Sequence, residues 1–240
     1  MTAALRFESV TAGYGPITVL DEASLAMGPD EVLVVLGANG SGKSTVLKTA
    51  IGLTRLSAGR IMLGECDISV LSPHRRAEAG MGYVPQTRNV FADLSVNDNL
   101  RMGGFLHAAG LTRDMEQVFD LFPRLRERRR ERAGDLSGGE RRMLSIGLTL
   151  LLRPRMLLLD EPSSDLSPAM ITAVFDAIRQ IRVETRIPVL LVEQNLQAGL
   201  SLADRVCVMV RGRVALEQAA QELNREQLHA LFLEGGVRLS

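Results

Sequence analysis

Apolar and polar positions alternate over the first thirty residues, which predicts antiparallel strands at Leu5 to Val10, around Ile17 to Leu20, and at Ala23 to Met27. The pattern then changes. Val32-Leu33-Val34-Val35-Leu36 follows Glu31 as an unbroken apolar run that stops at Gly37, the mark of a strand covered on both faces. A helix is expected from Lys43 to about Ile51, ended by Gly52. Arg60-Ile61-Met62-Leu63 lies between glycines and predicts a strand over Gly59 to Gly64; Met81 to Val84 predicts another, ended by Pro85. From Thr87 to Arg153 the period lengthens to that of a helix. Met115, Val118, Phe119 and Phe122 stand at i, i+3, i+4 and i+7 and form one apolar face. Strands return at Met156 to Leu159, Val189 to Val192, Val206 to Val210 and Arg213 to Leu216. Between the first two, a helix over Ala169 to Arg182 carries the stripe Met170, Val174, Ile178 and Ile181. This order predicts an α/β fold: a mainly parallel core sheet with an N-terminal antiparallel β subdomain, built from residues 1–86 and 154–240, and a helical subdomain inserted over 87–153.

Composition narrows the function classes. A length of 240 residues suits one large domain. Lys plus Arg and Asp plus Glu are each 28, so the formal charge is zero, without the basic excess of a general nucleic-acid binder. The run Pro123 to Arg132 holds six arginines and two glutamates. Glu127 with Arg130 and Arg128 with Glu131 stand at i, i+3, so a solvated helical face is expected, and aromatic residues for base stacking are missing from it. Cys66 and Cys207 have no ligand spacing and are expected to be small buried apolar residues of a reduced, cytosolic chain. The start, Met-Thr-Ala-Ala-Leu-Arg, lacks an apolar signal core. No apolar run approaches the ~20 residues that span a bilayer, so any service to a membrane is expected through a partner.

Three motifs carry chemistry. Gly37-Ala38-Asn39-Gly40-Ser41-Gly42-Lys43-Ser44 fits the phosphate-binding loop at every fixed position, between an apolar strand and a helix. Its glycines let successive N–H groups face one anion, and the helix N-terminus adds its dipole. Lys43 supplies charge to the β- and γ-phosphates, the Ser44 hydroxyl ligates Mg²⁺, and Thr45 follows on the α-phosphate side. Met156 to Leu159 then leads into Asp160-Glu161-Pro162. Asp160 is expected beside the phosphate loop, holding Mg²⁺ directly or through water. Leu136-Ser137-Gly138-Gly139-Glu140 opens a helix with Ser137 as N-cap, uncovered N–H groups at Gly138 and Gly139, and Glu140 suited to the dipole. It makes a second anion site that the chain's own phosphate loop does not need; a γ-phosphate on a facing subunit is its natural ligand.

With these motifs in this order, the chain resembles the ATP-binding-cassette (ABC) ATPases along essentially its whole length. The resemblance implies a P-loop NTPase fold and Mg²⁺-dependent ATP hydrolysis. It implies that Glu161 polarises the attacking water, with Lys43 and Gln194 completing the catalytic group. Gln86 would contact Mg²⁺ and sense a transmembrane partner, Tyr14 would stack on adenine, and Ser164-Asp165-Leu166 would cross the dimer interface. Ser137 to Glu140 would act in trans. One position departs from the family: Gln194 stands where a histidine usually touches the γ-phosphate, and an amide cannot become a cation. His74, His107 and His229 lie in other segments.

Val192-Glu193-Gln194-Asn195, Glu140 with Arg141-Arg142-Met143-Leu144, Val90-Phe91, Leu94-Ser95-Val96 with Asn99-Leu100, and Leu231-Phe232 to Gly236 are similar to the shorter ATPase subunit of branched-chain amino-acid importers. Urea and short-chain amide importer ATPases are close relatives. The expected assembly is a pair of ABC subunits, as a heterodimer with a longer homologous ATPase or as a homodimer. It would dock through Thr87 to about Gly104 on transmembrane permease subunits at the cytoplasmic face of a bacterial inner membrane. An external substrate-binding protein would act indirectly, and no nucleic-acid partner is expected. A soluble ABC ATPase acting on nucleic acid or the ribosome is the alternative of another class; the long coiled-coil insertion or second cassette usual there is missing from this sequence.

Overall fold

Two sheets organise the computed structural model, which describes residues 4–87, 89–105, 109–224 and 228. His107, His229 and the segment 231–236 lie outside them. In chain order the elements are β1 (Leu5–Tyr14), β2 (Ile17–Met27), β3 (Val32–Gly37), α1 (Lys43–Ala50), β4 (Arg55–Leu63), β5 (Cys66–Asp67), α2 (Pro73–Glu78) and β6 (Met81–Val84). The helices α3 (Val96–Gly103), α4 (Leu111–Leu121), α5 (Pro123–Glu127) and α6 (Gly138–Leu150) follow. The chain continues with β7 (Met156–Asp160), α7 (Pro168–Thr185), β8 (Val189–Glu193), α8 (Leu196–Leu200), β9 (Arg205–Val210) and β10 (Arg213–Ala219).

The larger sheet has the order β10-β9-β3-β8-β7-β6. Its strands run parallel except for β10, which pairs antiparallel with β9 at one edge. The smaller sheet, β2-β1-β4-β5, is antiparallel. The strand expected near Gly59 therefore joins this second sheet, although it follows the phosphate loop in sequence. Val32 to Leu36 and Met156 to Leu159 are buried at every position, because helices cover one face and the smaller sheet and α1 the other. Alternate residues feed two cores, as the two-residue strand period requires. Val34, Leu36, Leu157, Leu159 and Leu191 enter one with the apolar faces of α3 to α7. Leu33, Val35, Leu158, Leu190 and Val192 enter the other with Val46 and Leu47 of α1.

Several expectations are corrected. Ile17 to Leu20 and Ala23 to Met27 form one strand whose pairing with β1 shifts register three times along its length; one shift, between the Val10–Ala23 and Ala12–Leu20 pairs, falls at the gap in alternation. The acidic strand β7 is not next to the phosphate loop's strand, since β8 lies between them. Cys66 is exposed, on a two-residue edge strand with one neighbour, whereas Cys207 is buried in the second core. In the arginine run, Glu127 pairs with Arg124 rather than Arg130, because α5 ends at Glu127; the Arg128–Glu131 pair forms at 2.6 Å. No helix among the described residues is long and apolar enough to cross a membrane.

Candidate nucleotide site

The C-terminal ends of β3, β8 and β7 lie side by side, with Leu36 in register with Glu193 and Asp160 with Val192. Ligands of open α/β sheets bind at this edge. An open cleft of about 650 Å³ lies there, lined by the phosphate loop and by Gln86, Glu161, Asp165 and Gln194. The loop's form follows from its glycines. Gly40 (φ 78°) and Gly42 (φ 100°) adopt left-handed conformations that a side chain would strain, and Gly42 caps α1 directly before Lys43.

Lys43 is buried. Its ammonium donates to the Ala38 carbonyl at 3.0 Å and lies 3.7 Å from a Glu161 oxygen. Burial lowers its pKa, against the pull of Glu161 and Asp160. The amide of Gln86 donates to the other Glu161 oxygen at 3.0 Å. Glu161 itself has φ 45° and donates its N–H to the Val192 carbonyl across β8. The chain thus arches over the end of β8, and Glu161 reaches Lys43 although their strands are not neighbours.

Asp160 is buried; Oδ2 accepts the Tyr83 hydroxyl at 3.1 Å, while Oδ1 has no partner, like the buried Ser41 hydroxyl. Burial first, and the Asp160 charge second, raise the Tyr83 pKa, so Tyr83 stays a donor. The orphaned Asp160 oxygen, the Ser44 hydroxyl and the Gln86 amide oxygen are all oxygen donors, the chemistry that suits a hard divalent cation such as Mg²⁺. Ser44 and Thr45 both line the cleft. Asn39 is exposed at the mouth.

The Ser137 segment is not part of this cleft's lining. Ser137 caps α6, accepting the Glu140 N–H at 3.3 Å, while Glu140 accepts the Ser137 N–H at 2.8 Å. Arg128 donates to the same Glu140 oxygen at 2.6 Å. Burial works to raise the Glu140 pKa, but Ser137 and Arg128 outweigh it and hold it below the ordinary value. Glu140 therefore serves its own helix, while Ser137 and Gly138 stay exposed. Gly139 is buried; a Cβ there would lie 2.2 Å from Met170 Cε and 3.0 Å from Met170 Cβ, so its small size lets α6 and α7 meet. Tyr14 is exposed at the end of β1 and is not among the residues lining the cleft.

Three side chains were missed by sequence reasoning: Tyr83, Glu193 and Arg142. Glu193, buried at the end of β8, accepts from the Ser163 N–H and hydroxyl, each at 2.8 Å, and from the N–H groups of Gln194 and Asn195. Burial raises its pKa, opposed by these donors. It ties the loop bearing Gln194 to the loop after Glu161. Arg142, buried on α6, donates to the carbonyls of Pro85, Gln86 and Glu161 at 2.7, 2.8 and 3.2 Å and reaches the Ser164 hydroxyl at 3.4 Å. Its phase was the available signal: it lies three residues after Gly139 and four before Ile146, on the inward face of α6.

Comparison with known proteins bears on the family and the fold. Residues 20–164 match the family described as ABC transporter. The chain is 39% identical over 220 residues to a probable branched-chain amino acid transport ATP-binding protein, LivF, of Archaeoglobus fulgidus, covering 91% of this chain and 93% of that one. It is 40% identical to the high-affinity branched-chain amino acid transport ATP-binding protein BraG of Pseudomonas aeruginosa, covering 96% and 100%. A lipopolysaccharide export ATP-binding protein, LptB, of Acidithiobacillus ferridurans is 33% identical, with 93% of each chain covered. Among solved structures, a nucleotide-free ATP-binding cassette from an ABC transporter superposes with TM-score 0.85 at 23% identity over 100% of both chains. A dimeric post-hydrolysis cassette bound to ADP and Pi gives 0.81 at 18% identity, covering 91% of this chain and 100% of that one.

Proposed function

The chain belongs to the ABC transporter family as an ATP-hydrolysing subunit, and from that premise we propose that it energises a bacterial importer of branched-chain amino acids. The observation that carries the substrate class is the 39–40% identity, over more than nine-tenths of the chain, to two branched-chain amino acid transport ATP-binding proteins. The export relative stands lower, at 33%.

In this reading ATP enters the cleft with its phosphates on the Gly37–Thr45 loop. The Lys43 ammonium exchanges its contact with Glu161 for the β- and γ-phosphate oxygens, whose charge offsets the burial that lowers its pKa. Asp160 Oδ1, Ser44 and Gln86 would hold Mg²⁺, Asp160 directly or through water; bound there, Mg²⁺ neutralises charge on the β- and γ-phosphates. Glu161, freed from Lys43, orients and polarises the attacking water, and Gln194 donates an amide hydrogen to the γ-phosphate. Tyr14, exposed at the end of β1, stacks on adenine in this reading. Gly138 and Gly139, beside Ser137, offer their N–H groups to the ATP of a second ABC subunit across an interface that includes Asp165, while Glu140 holds the Ser137 N–H and keeps that helix start in shape. ATP binds the closed pair better, shifting the permease; hydrolysis resets it.

Docking on the permease uses the segment 87–104. Phe91 and Met102 are exposed there and, with the adjoining Phe105 and with Leu152, flank a groove of about 340 Å³. The subunit works at the cytoplasmic face of the membrane, held by its partners. Purifying the tagged chain from membranes and identifying its companions tests the proposal. Two permease subunits and a second, longer ATPase are expected. A lipopolysaccharide-export or urea-type permease would redirect the substrate class, and ribosomes or nucleic acid in place of a permease would overturn transport altogether.

A further inference from the structure

Arg142 is a buried cation that no step above uses. Its donors go to three stretches of chain: the Pro85–Gln86 turn, the carbonyl of Glu161 and the Ser164 hydroxyl. Every one of these partners is neutral, and Arg142 is not among the residues lining the cleft. Burial lowers its pKa, while Asp160, Glu193, Asp165 and Glu161 surround it with negative charge and oppose that shift. A planar guanidinium can meet acceptors on several segments at once; an ammonium meets them as a point.

The location is particular. Arg142 stands on α6, whose first turn presents Ser137 and Gly138 to solvent. The loop it grips carries Glu161 and Asp165, both in left-handed backbone conformations, with φ 45° and 59°. On its other side, Glu193 grips Ser163. A cation and an anion thus hold a strained five-residue loop between them.

We propose that Arg142 is a positioning residue for hydrolysis: it fastens the loops bearing Glu161 and Gln86 to the start of α6. Glu161 serves the chain's own ATP and Ser137 serves the partner's, so Arg142 joins the two composite sites of the pair through one chain. This second consequence rests on the in-trans reading given above.

The assembled transporter carrying Arg142→Met or Arg142→Lys tests it. Arg142→Met should lower kcat by ~10- to 100-fold, as expected when a catalytic group is misplaced, with the KM for ATP within about twofold. The Hill coefficient for ATP should fall toward unity. Arg142→Lys should recover part of kcat. Unchanged kcat in Arg142→Met overturns the proposal. So does a parallel loss of kcat and nucleotide affinity with no rescue by lysine, which marks a merely structural role. The in-trans reading is tested apart, by whether ATP drives dimerisation of the Glu161→Gln chain. Failure there, with the kcat–KM split intact in Arg142→Met, removes the link between sites and leaves the positioning role standing.

Discussion

Glu161 takes a conformation that costs a residue with a side chain roughly 1–3 kcal/mol, with φ 45° at a half-buried position on the cleft wall. Its carboxylate is approached by Lys43 on one side and Gln86 on the other. Glu161→Gln keeps the size and hydrogen-bonding reach but removes the base. ATP binding should persist while turnover falls at least ~10²-fold, and size-exclusion chromatography with ATP should show a trapped dimer. Normal turnover in that variant would remove Glu161 from the mechanism. Gln194 makes the opposite case, a position without a titrating group. Wild-type turnover should show no step near the imidazole pKa of ~6.5 that depends on this residue, and Gln194→His should introduce one. Superimposable pH–rate profiles would mean the position does not set the pH response. Lys43, Ser44 and Asp160 were legible in the sequence because their chemistry needs consecutive residues at the end of a strand. Tyr83 and Arg142 were not: Tyr83 meets Asp160 from 77 positions away, and Arg142 meets Pro85 from 57.

Among the elements, α6 shows how a helix start becomes a presented surface. The reciprocal Ser137–Glu140 bonds and Arg128 hold the first turn. Glu140 has its folded pKa below the ordinary value, so its ionised form stabilises the fold above the unfolded-state pKa of ~4.3, and that stabilisation is lost as pH falls through the folded value. Glu140→Gln keeps one acceptor but loses the charge. Urea titrations should find it about 1 kcal/mol less stable than wild type near pH 7, with the gap closing on the acid side. A gap independent of pH would assign the effect to packing. The long elements were readable: α1 ends one residue before the expected Ile51, and α7 extends the expected helix to Pro168–Thr185. The unread ones are β5, α2 and α8, of two, six and five residues. Fewer than two helical turns, or two strand positions, are too short to display a period.

At the scale of the molecule, exposed apolar side chains gather beside the Gln86 turn. Phe91 is 54% and Phe105 76% exposed, and the Phe91 N–H and carbonyl are both pinned by the buried Asn99. The backbone under this patch is therefore fixed while the ring faces outward, as a docking contact requires. Phe91→Ala, or charge reversal at Asp93 or Arg101, should weaken recovery of permease subunits with the tagged chain while ATP affinity stays near wild type. Equal loss of both would point to a fault in the cleft. Periodicity and local motifs by themselves determined an α/β chain with the phosphate-loop pattern, an acidic strand end and a capped, glycine-bearing helix start at Ser137. They could do so because backbone cradles, helix caps and buried parallel strands are each built from consecutive residues. Only the tertiary structure decided that β8 separates the phosphate loop from the acidic strand, that Glu161 nevertheless reaches Lys43, and that Arg142 and Glu193 clamp the loop between them. Those outcomes depend on strand order and on pairings between residues far apart in the chain, which no local pattern encodes.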